Sequence, residues 1–96
     1  MRAETKSRVT LAKKEQIDLT IAYYLKAREQ EERSTQKRSL DNIIRDLRVM
    51  MALSKGEDML WVSKKLGMRV DYLWSRMREA KMRVERVVAM RENGRA

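Results

Sequence analysis

The absence of proline most limits what this chain of 96 residues can fold into. Its three glycines, Gly56, Gly67 and Gly94, all follow residue 55, and β-branched residues rarely stand together. Proline and glycine interrupt helices more strongly than other residues do. The sequence therefore predicts an all-α fold in which glycine marks the main helix ends.

Apolar residues at helical spacing predict about four helices. The first is predicted to begin after Thr10, which can cap it, and to run to about Arg33. The polar segment 34–38 is predicted to be a break, and a second helix is predicted to start near Ser39. On that helix, Asp41 is expected to pair with the arginine four residues later, Arg45.

Glycines organise the second half of the chain. Lys55 and Gly56 are expected to end the second helix, because a cation in the last turn and a following glycine commonly terminate helices. Residues 59–66 are then predicted to form a short third helix. Gly67 is predicted to form a turn, and a long C-terminal helix is predicted to start at Val70.

The domain organisation follows from these segments. Residues 1–9 carry cations and little apolar content, and are predicted to be a flexible basic arm. Residues 10–92 are predicted to form one helical domain, because a chain of this length supports one core. Residues 93–96 are expected to be a tail.

The charge of the chain favours a polyanionic partner. Its formal net charge is +9, its pI is near 10.3, and 39% of its residues are charged. Such a charge on a short chain attracts nucleic acid or anionic membranes. No apolar run is long enough to span a bilayer and no signal-peptide core is present, so we expect a cytoplasmic protein without a membrane partner.

The residue types that most enzymes use are missing. The chain has neither cysteine nor histidine, so it lacks thiolate nucleophiles, disulfides and the commonest general base and metal ligand. Its carboxylates show no catalytic spacing. We expect a protein that is not an enzyme, with no cofactor, no metal and no small-molecule substrate.

A helix-turn-helix pattern occupies residues 59–78. Ser63 precedes Gly67 by four residues and Leu73 follows it by six. A small residue lets two helices approach closely, the glycine permits positive φ, and apolar positions set the angle between the helices. The segment resembles the helix-turn-helix of transcription regulators from bacteria, phages and mobile elements, which implies that the second helix enters the DNA major groove. Arg69 stands where such motifs often have a serine or threonine that caps the second helix. Arg76 stands where they often have an apolar residue.

A second resemblance spans residues 17–74. The residues that carry it are Ile17, Asp18, Leu19, Thr20, Ala27, Arg28, Leu40, Leu53 and Met59. In order and spacing they are similar to the D subunit of the FlhDC-type flagellar master activators, an all-helical family. The resemblance implies a dimer that shares its DNA contacts with a partner subunit.

The helix-turn-helix interpretation assigns DNA-binding roles to two groups of residues. The exposed face at the start of the last helix is expected to contact bases through Arg69, Asp71, Tyr72, Ser75 and Arg78. Four further cations are expected to contact phosphates, which position a protein without reporting sequence, namely Lys64, Lys65, Arg76 and Lys81. Trp61 and Trp74 could stack on bases or belong to the core.

The last helix also carries an apolar seam with residues three and four apart, formed by Val70, Leu73, Met77, Ala80, Val84 and Val87. Two alternatives stay open for this seam: an oligomer interface, or the core of the chain itself. Because small helical DNA-binding proteins usually dimerise, we expect it to mediate a homodimer or hetero-oligomer.

The sequence thus favours a dimeric transcription regulator that binds double-stranded DNA. The alternative is a small basic interaction protein of phage or mobile-element origin, such as a packaging or inhibitor protein, that binds RNA or a protein partner. The target sequence, and whether the protein activates or represses, do not follow from the residues.

Overall fold

Four helices make up the computed structural model, which describes residues 10–95 and the side chains of residues 10–94. They are α1 (Lys14–Gln30), α2 (Ser34–Ser54), α3 (Met59–Leu66) and α4 (Val70–Arg95). No strand occurs in this part of the chain, so the predicted all-α fold is confirmed. The basic arm predicted for residues 1–9 lies outside the described residues.

The helices form a flat molecule of 43 × 34 × 19 Å. Helix α1 packs against α2 and α4, α2 also packs against α4, and the short α3 packs against α4. The smallest dimension is close to two helix diameters of about 10 Å each. Every helix therefore keeps one side available to solvent.

The ends of α1 differ from the prediction. Helix α1 begins at Lys14 rather than directly after Thr10, because Leu11 and Ala12 pack against the core in a segment that precedes the helix. At the other end it stops at Gln30, and the break lies at residues 31–33 instead of 34–38. Polar residues alone do not interrupt a helix, so α2 incorporates that polar segment and starts at Ser34.

Glu31 stabilises the observed break. Its carboxylate accepts hydrogen bonds from the backbone N–H and from the Nε of Arg33, both at 3.1 Å. The side-chain hydrogen bond from Arg33 is the main cause that lowers the pKa of Glu31 below its ordinary value. The contact therefore contributes to stability above the ordinary pKa of the carboxyl group and is lost as the pH falls through the lowered pKa.

Ion pairs around α2 also differ from the expectation. Asp41 accepts hydrogen bonds from Arg28, which links the end of α1 to the beginning of α2. The expected partner of Asp41, Arg45, instead donates to Asp46 at 3.0 Å. The predicted pair four residues apart on one helix is thus replaced by a contact between two helices.

Glycine ends two helices as predicted. Gly56 follows α2 with a φ of 103° and Gly67 follows α3 with a φ of 66°. After α3, the Gly67 N–H bonds to the Lys64 carbonyl at 3.4 Å and the Met68 N–H to the Ser63 carbonyl at 3.0 Å. This pair of bonds is the Schellman arrangement. The Ser63 hydroxyl also donates to the Met68 carbonyl, so the turn between α3 and α4 is held from both sides.

Replacing Gly67 with alanine should lower the free energy of unfolding by about 1 kcal/mol, because a Cβ is strained at positive φ. No atom lies within 4 Å of the position that this Cβ would occupy, so strain rather than a clash sets the cost. Gly67→Asn should cost less, since asparagine tolerates this conformation better. Urea denaturation measures both, and Gly94→Ala within α4 is the control. Equal losses for Gly67→Ala and Gly67→Asn would contradict the explanation.

The apolar seam of α4 lies inside the chain. Leu73, Met77, Ala80, Val84 and Val87 are each at most 1% exposed, and Val70 is half-buried at the edge. They belong to one cluster with residues of α1 and α2 that include Ile17, Leu47 and Met50. The seam therefore lies in the core of the chain, whereas oligomerisation itself stays a prediction. Helix α4 continues to Arg95, through the residues predicted to be a tail.

Candidate nucleic-acid interface

The first turns of α4 present a polar face to solvent. Leu73 and Met77 face the core, which leaves the side chains of Tyr72, Ser75 and Arg78 exposed on the opposite side. Tyr72 is 49% exposed. The structure thus places these three predicted base-contacting residues together, next to the turn at Gly67.

Arg69 and Asp71 form an ion pair at the start of α4. The Arg69 Nε lies 3.4 Å from the Asp71 Oδ1, and the two side chains are 86% and 66% exposed. Exposed ion pairs contribute at most about 1 kcal/mol, so Arg69 can leave Asp71 for a phosphate at little cost. Asp71 also accepts the N–H of Tyr72 at 2.9 Å, and its charge suits the positive end of the helix dipole.

Ser75 and Arg78 contact each other one turn further along α4. An Nη2 of Arg78 lies 3.4 Å from the Ser75 Oγ. Both side chains are exposed, and the arginine carries two parallel donors of the kind that bind guanine O6 and N7. This pair is the best placed of the predicted residues for a contact with base edges.

Lys64 and Lys65 occupy different faces of α3. Lys64 is exposed, one turn after the exposed Leu60. The Lys65 Nζ instead lies 4.8 Å above the ring of Trp61, in a cation–π contact, and lines a groove beside α2. Both lysines are exposed, and their assignments as phosphate contacts stay predictions.

Arg76 binds Asp46, and its assignment as a phosphate contact stays a prediction. Its Nε and Nη2 donate to the Asp46 Oδ2 at 3.0 and 2.8 Å, and the Asp46 side chain is 3% exposed. The hydrogen bond to Asp46 raises the pKa of Arg76, while partial burial opposes the rise. The buried carboxylate on α2 thus explains why a charged residue stands at this position of α4.

Lys81 lies further from the turn. It is half-buried on α4 beside Ala80. At about 1.5 Å per residue, it lies roughly 16 Å along the helix from Val70. A helix that enters the major groove by its N-terminal end would bring Lys81 near the phosphate backbone rather than near bases.

A groove between α1, α2 and α3 was not predicted. It has a volume of about 670 Å³ and an apolar floor formed by Leu25, Ile44, Val49, Trp61, Val62 and Leu66. Charged side chains border it, namely Arg28, Arg45, Arg48, Lys65, Asp41 and Glu57. We call it the arginine-rimmed groove. The high arginine content of α2 was the only signal for it, because the groove forms between residues distant in sequence.

The two tryptophans have different environments. Trp74 is partly buried and packs against the core. Trp61 is 53% exposed and lies in the arginine-rimmed groove. Trp61 lies on a different helix from Tyr72, Ser75 and Arg78, whereas Trp74 lies one turn before Arg78 on α4.

The described residues contain no group of carboxylates that could hold a metal ion. None of the described helices is both long enough and apolar enough to cross a membrane. No family model, curated protein or solved structure matches the chain.

Proposed function

We propose that this protein binds double-stranded DNA by inserting the N-terminal part of α4 into the major groove, and that it regulates transcription from the bound site. The observation that carries the proposal is the exposed row of Tyr72, Ser75 and Arg78 on a helix whose other side is anchored in the core. A base-contacting helix must be held rigidly while its polar side chains are exposed to the base edges.

The turn and the net charge support the same proposal. The Schellman turn at Gly67 fixes α3 beside the start of α4, and Lys64 is exposed on α3 where a phosphate contact would position the protein. The net charge of +9 supplies the long-range attraction to DNA. The exposed ion pair of Arg69 and Asp71 can open on binding and release the arginine.

A paired substitution tests the proposal. Arg78→Ala should weaken binding to a duplex selected from a random pool by about 1–3 kcal/mol, with a much smaller effect on an unrelated duplex. Lys64→Ala should weaken both duplexes about equally and lower the salt dependence by roughly one phosphate contact. Titrations at several salt concentrations measure these affinities, and helix content by circular dichroism verifies the fold of each variant.

Two results would contradict the proposal. One is negligible duplex binding at low salt. The other is an unchanged ratio of specific to non-specific affinity for alanine variants of Tyr72, Ser75 and Arg78 that keep their fold. In the second case the protein binds DNA without contacting bases through α4.

A further inference from the structure

The arginine-rimmed groove leaves large apolar side chains exposed to solvent. Trp61 is 53% exposed and Leu25 is 39% exposed, although both belong to the floor of the groove. Large exposed apolar side chains in a groove that is bordered by charges are typical of docking sites. We propose that this groove binds an acidic amphipathic helix of a partner protein.

The charges at the rim favour carboxylates. The groove is bordered by four cations and two carboxylates, a net charge of +2. Asp41 is already paired with Arg28, whereas Arg48 and Lys65 form no ion pair with any described residue. Arg45 is already paired with Asp46. Acidic side chains of a partner would therefore pair with Arg48 and Lys65.

The chain itself offers no complementary occupant. Residues 1–9 carry three cations and one carboxylate, so the rim would repel them. A second exposed apolar patch, around Leu19, Tyr23 and Met90, is bordered by Lys26 and Arg91. A second copy that used either patch would therefore bring cations against cations.

The walls of the groove favour a helical occupant. They are formed by helices, whose backbone groups are bonded within each helix, and the described residues provide no strand edge. An extended peptide would then leave its own backbone groups unpaired over the apolar floor, at a free-energy cost. A helix satisfies these groups internally and presents one apolar face, as in other helix-in-groove complexes.

The proposal does not rest on DNA binding. No residue of α4 lines the groove, so an occupant there would leave Tyr72, Ser75 and Arg78 uncovered. Partner and duplex should therefore bind at the same time. Their affinities are measured separately, which makes failure of one proposal distinguishable from failure of the other.

The test uses a labelled helical peptide of about 16 residues, with leucines on one face and glutamates elsewhere. Fluorescence anisotropy with the full chain should show saturable binding, at least about tenfold tighter (roughly 1.4 kcal/mol) than for two control peptides. One control keeps the leucines and replaces glutamate with lysine, and the other scrambles the sequence so that the apolar face is lost.

Charge reversal locates the site. Arg48→Glu combined with Lys65→Glu should abolish binding of the acidic peptide and allow the lysine peptide to bind. Arg86→Glu combined with Arg91→Glu is the matched control, because both arginines are exposed on α4 outside the groove. That control should change the affinity for the acidic peptide little. Trp61→Ala should weaken binding of the acidic peptide, because an apolar contact is lost.

Several results would overturn the proposal. They are no binding of the acidic peptide, equal binding of the scrambled peptide, or equal losses for the two charge reversals. Binding of dodecanoate in place of the peptide would make the groove a small-ligand site. The charge reversal at Arg48 and Lys65 could also weaken duplex binding as strongly as peptide binding. In that case the groove would be a nucleic-acid contact.

Discussion

Val84→Asp is expected to unfold the protein or to lower its free energy of unfolding by several kcal/mol. Val84 is fully buried in the middle of the seam of α4, within the core shared with α1 and α2. An unpaired carboxylate at such a position costs on the order of several kcal/mol. Domains of this size have a total stability of about 5–15 kcal/mol, so the substitution removes a large share of it. Urea denaturation followed by circular dichroism measures the loss.

Met82→Asp is the matched control, because it introduces the same carboxylate two residues away on the same helix. Met82 is 54% exposed, and surface substitutions usually change stability by no more than about 0.5 kcal/mol. Light scattering measures the oligomeric state of the wild-type protein and of both variants. If the Val84→Asp variant keeps its helix content but changes from an oligomer to a monomer, the seam is an interface between chains and not the core described above.

Arg76→Met is expected to lower the free energy of unfolding by about 3–5 kcal/mol, the usual cost of breaking a buried ion pair from one side. Asp46 is 3% exposed and receives two hydrogen bonds from Arg76. Loss of these bonds leaves a buried carboxylate whose remaining partner is Arg45, at 3.0 Å. The loss should therefore fall near the lower end of this range.

A double-mutant cycle isolates the interaction. Asp46→Leu together with Arg76→Met should recover part of the stability, since an apolar pair of suitable volume often replaces a buried ion pair without loss. The recovery is incomplete because Arg45 also loses its partner. Arg28→Met is the control, because it breaks the exposed pair with Asp41 and should cost at most about 1 kcal/mol. Additive losses in the cycle would show that Arg76 and Asp46 act independently.

The buried pair also bears on the proposed function. It links α2 to α4 one turn after Tyr72, so it anchors the helix that presents the candidate base contacts. If the pair serves only to hold α4 in place, the double variant of Asp46 and Arg76 should bind DNA normally as long as it keeps its stability. Arg76 thus acts as a positioning residue in the proposal.

Local patterns in the sequence predicted much of the fold. The absence of proline and the helical spacing of apolar residues predicted four helices, and α3 and the start of α4 have the predicted bounds. Gly67 adopts positive φ as its position after Leu66 predicted, because the turn at this helix end is formed by residues that are neighbours in sequence. The same local periodicity predicted which side of α4 is polar and placed Tyr72, Ser75 and Arg78 on it.

Contacts between distant residues decided the rest. An apolar seam has the same spacing whether it packs on its own chain or on another, so only the tertiary structure assigned Val84 to the core. Arg76 and Asp46 are thirty residues apart in sequence, and each alone resembles an ordinary surface charge. The arginine-rimmed groove exists only where three helices meet. The sequence by itself therefore determined the helical class of the fold, the polar face of α4 and the turn at Gly67. Packing decided which charges are paired, which apolar residues are buried and where the groove forms, because those properties depend on what each face meets in space.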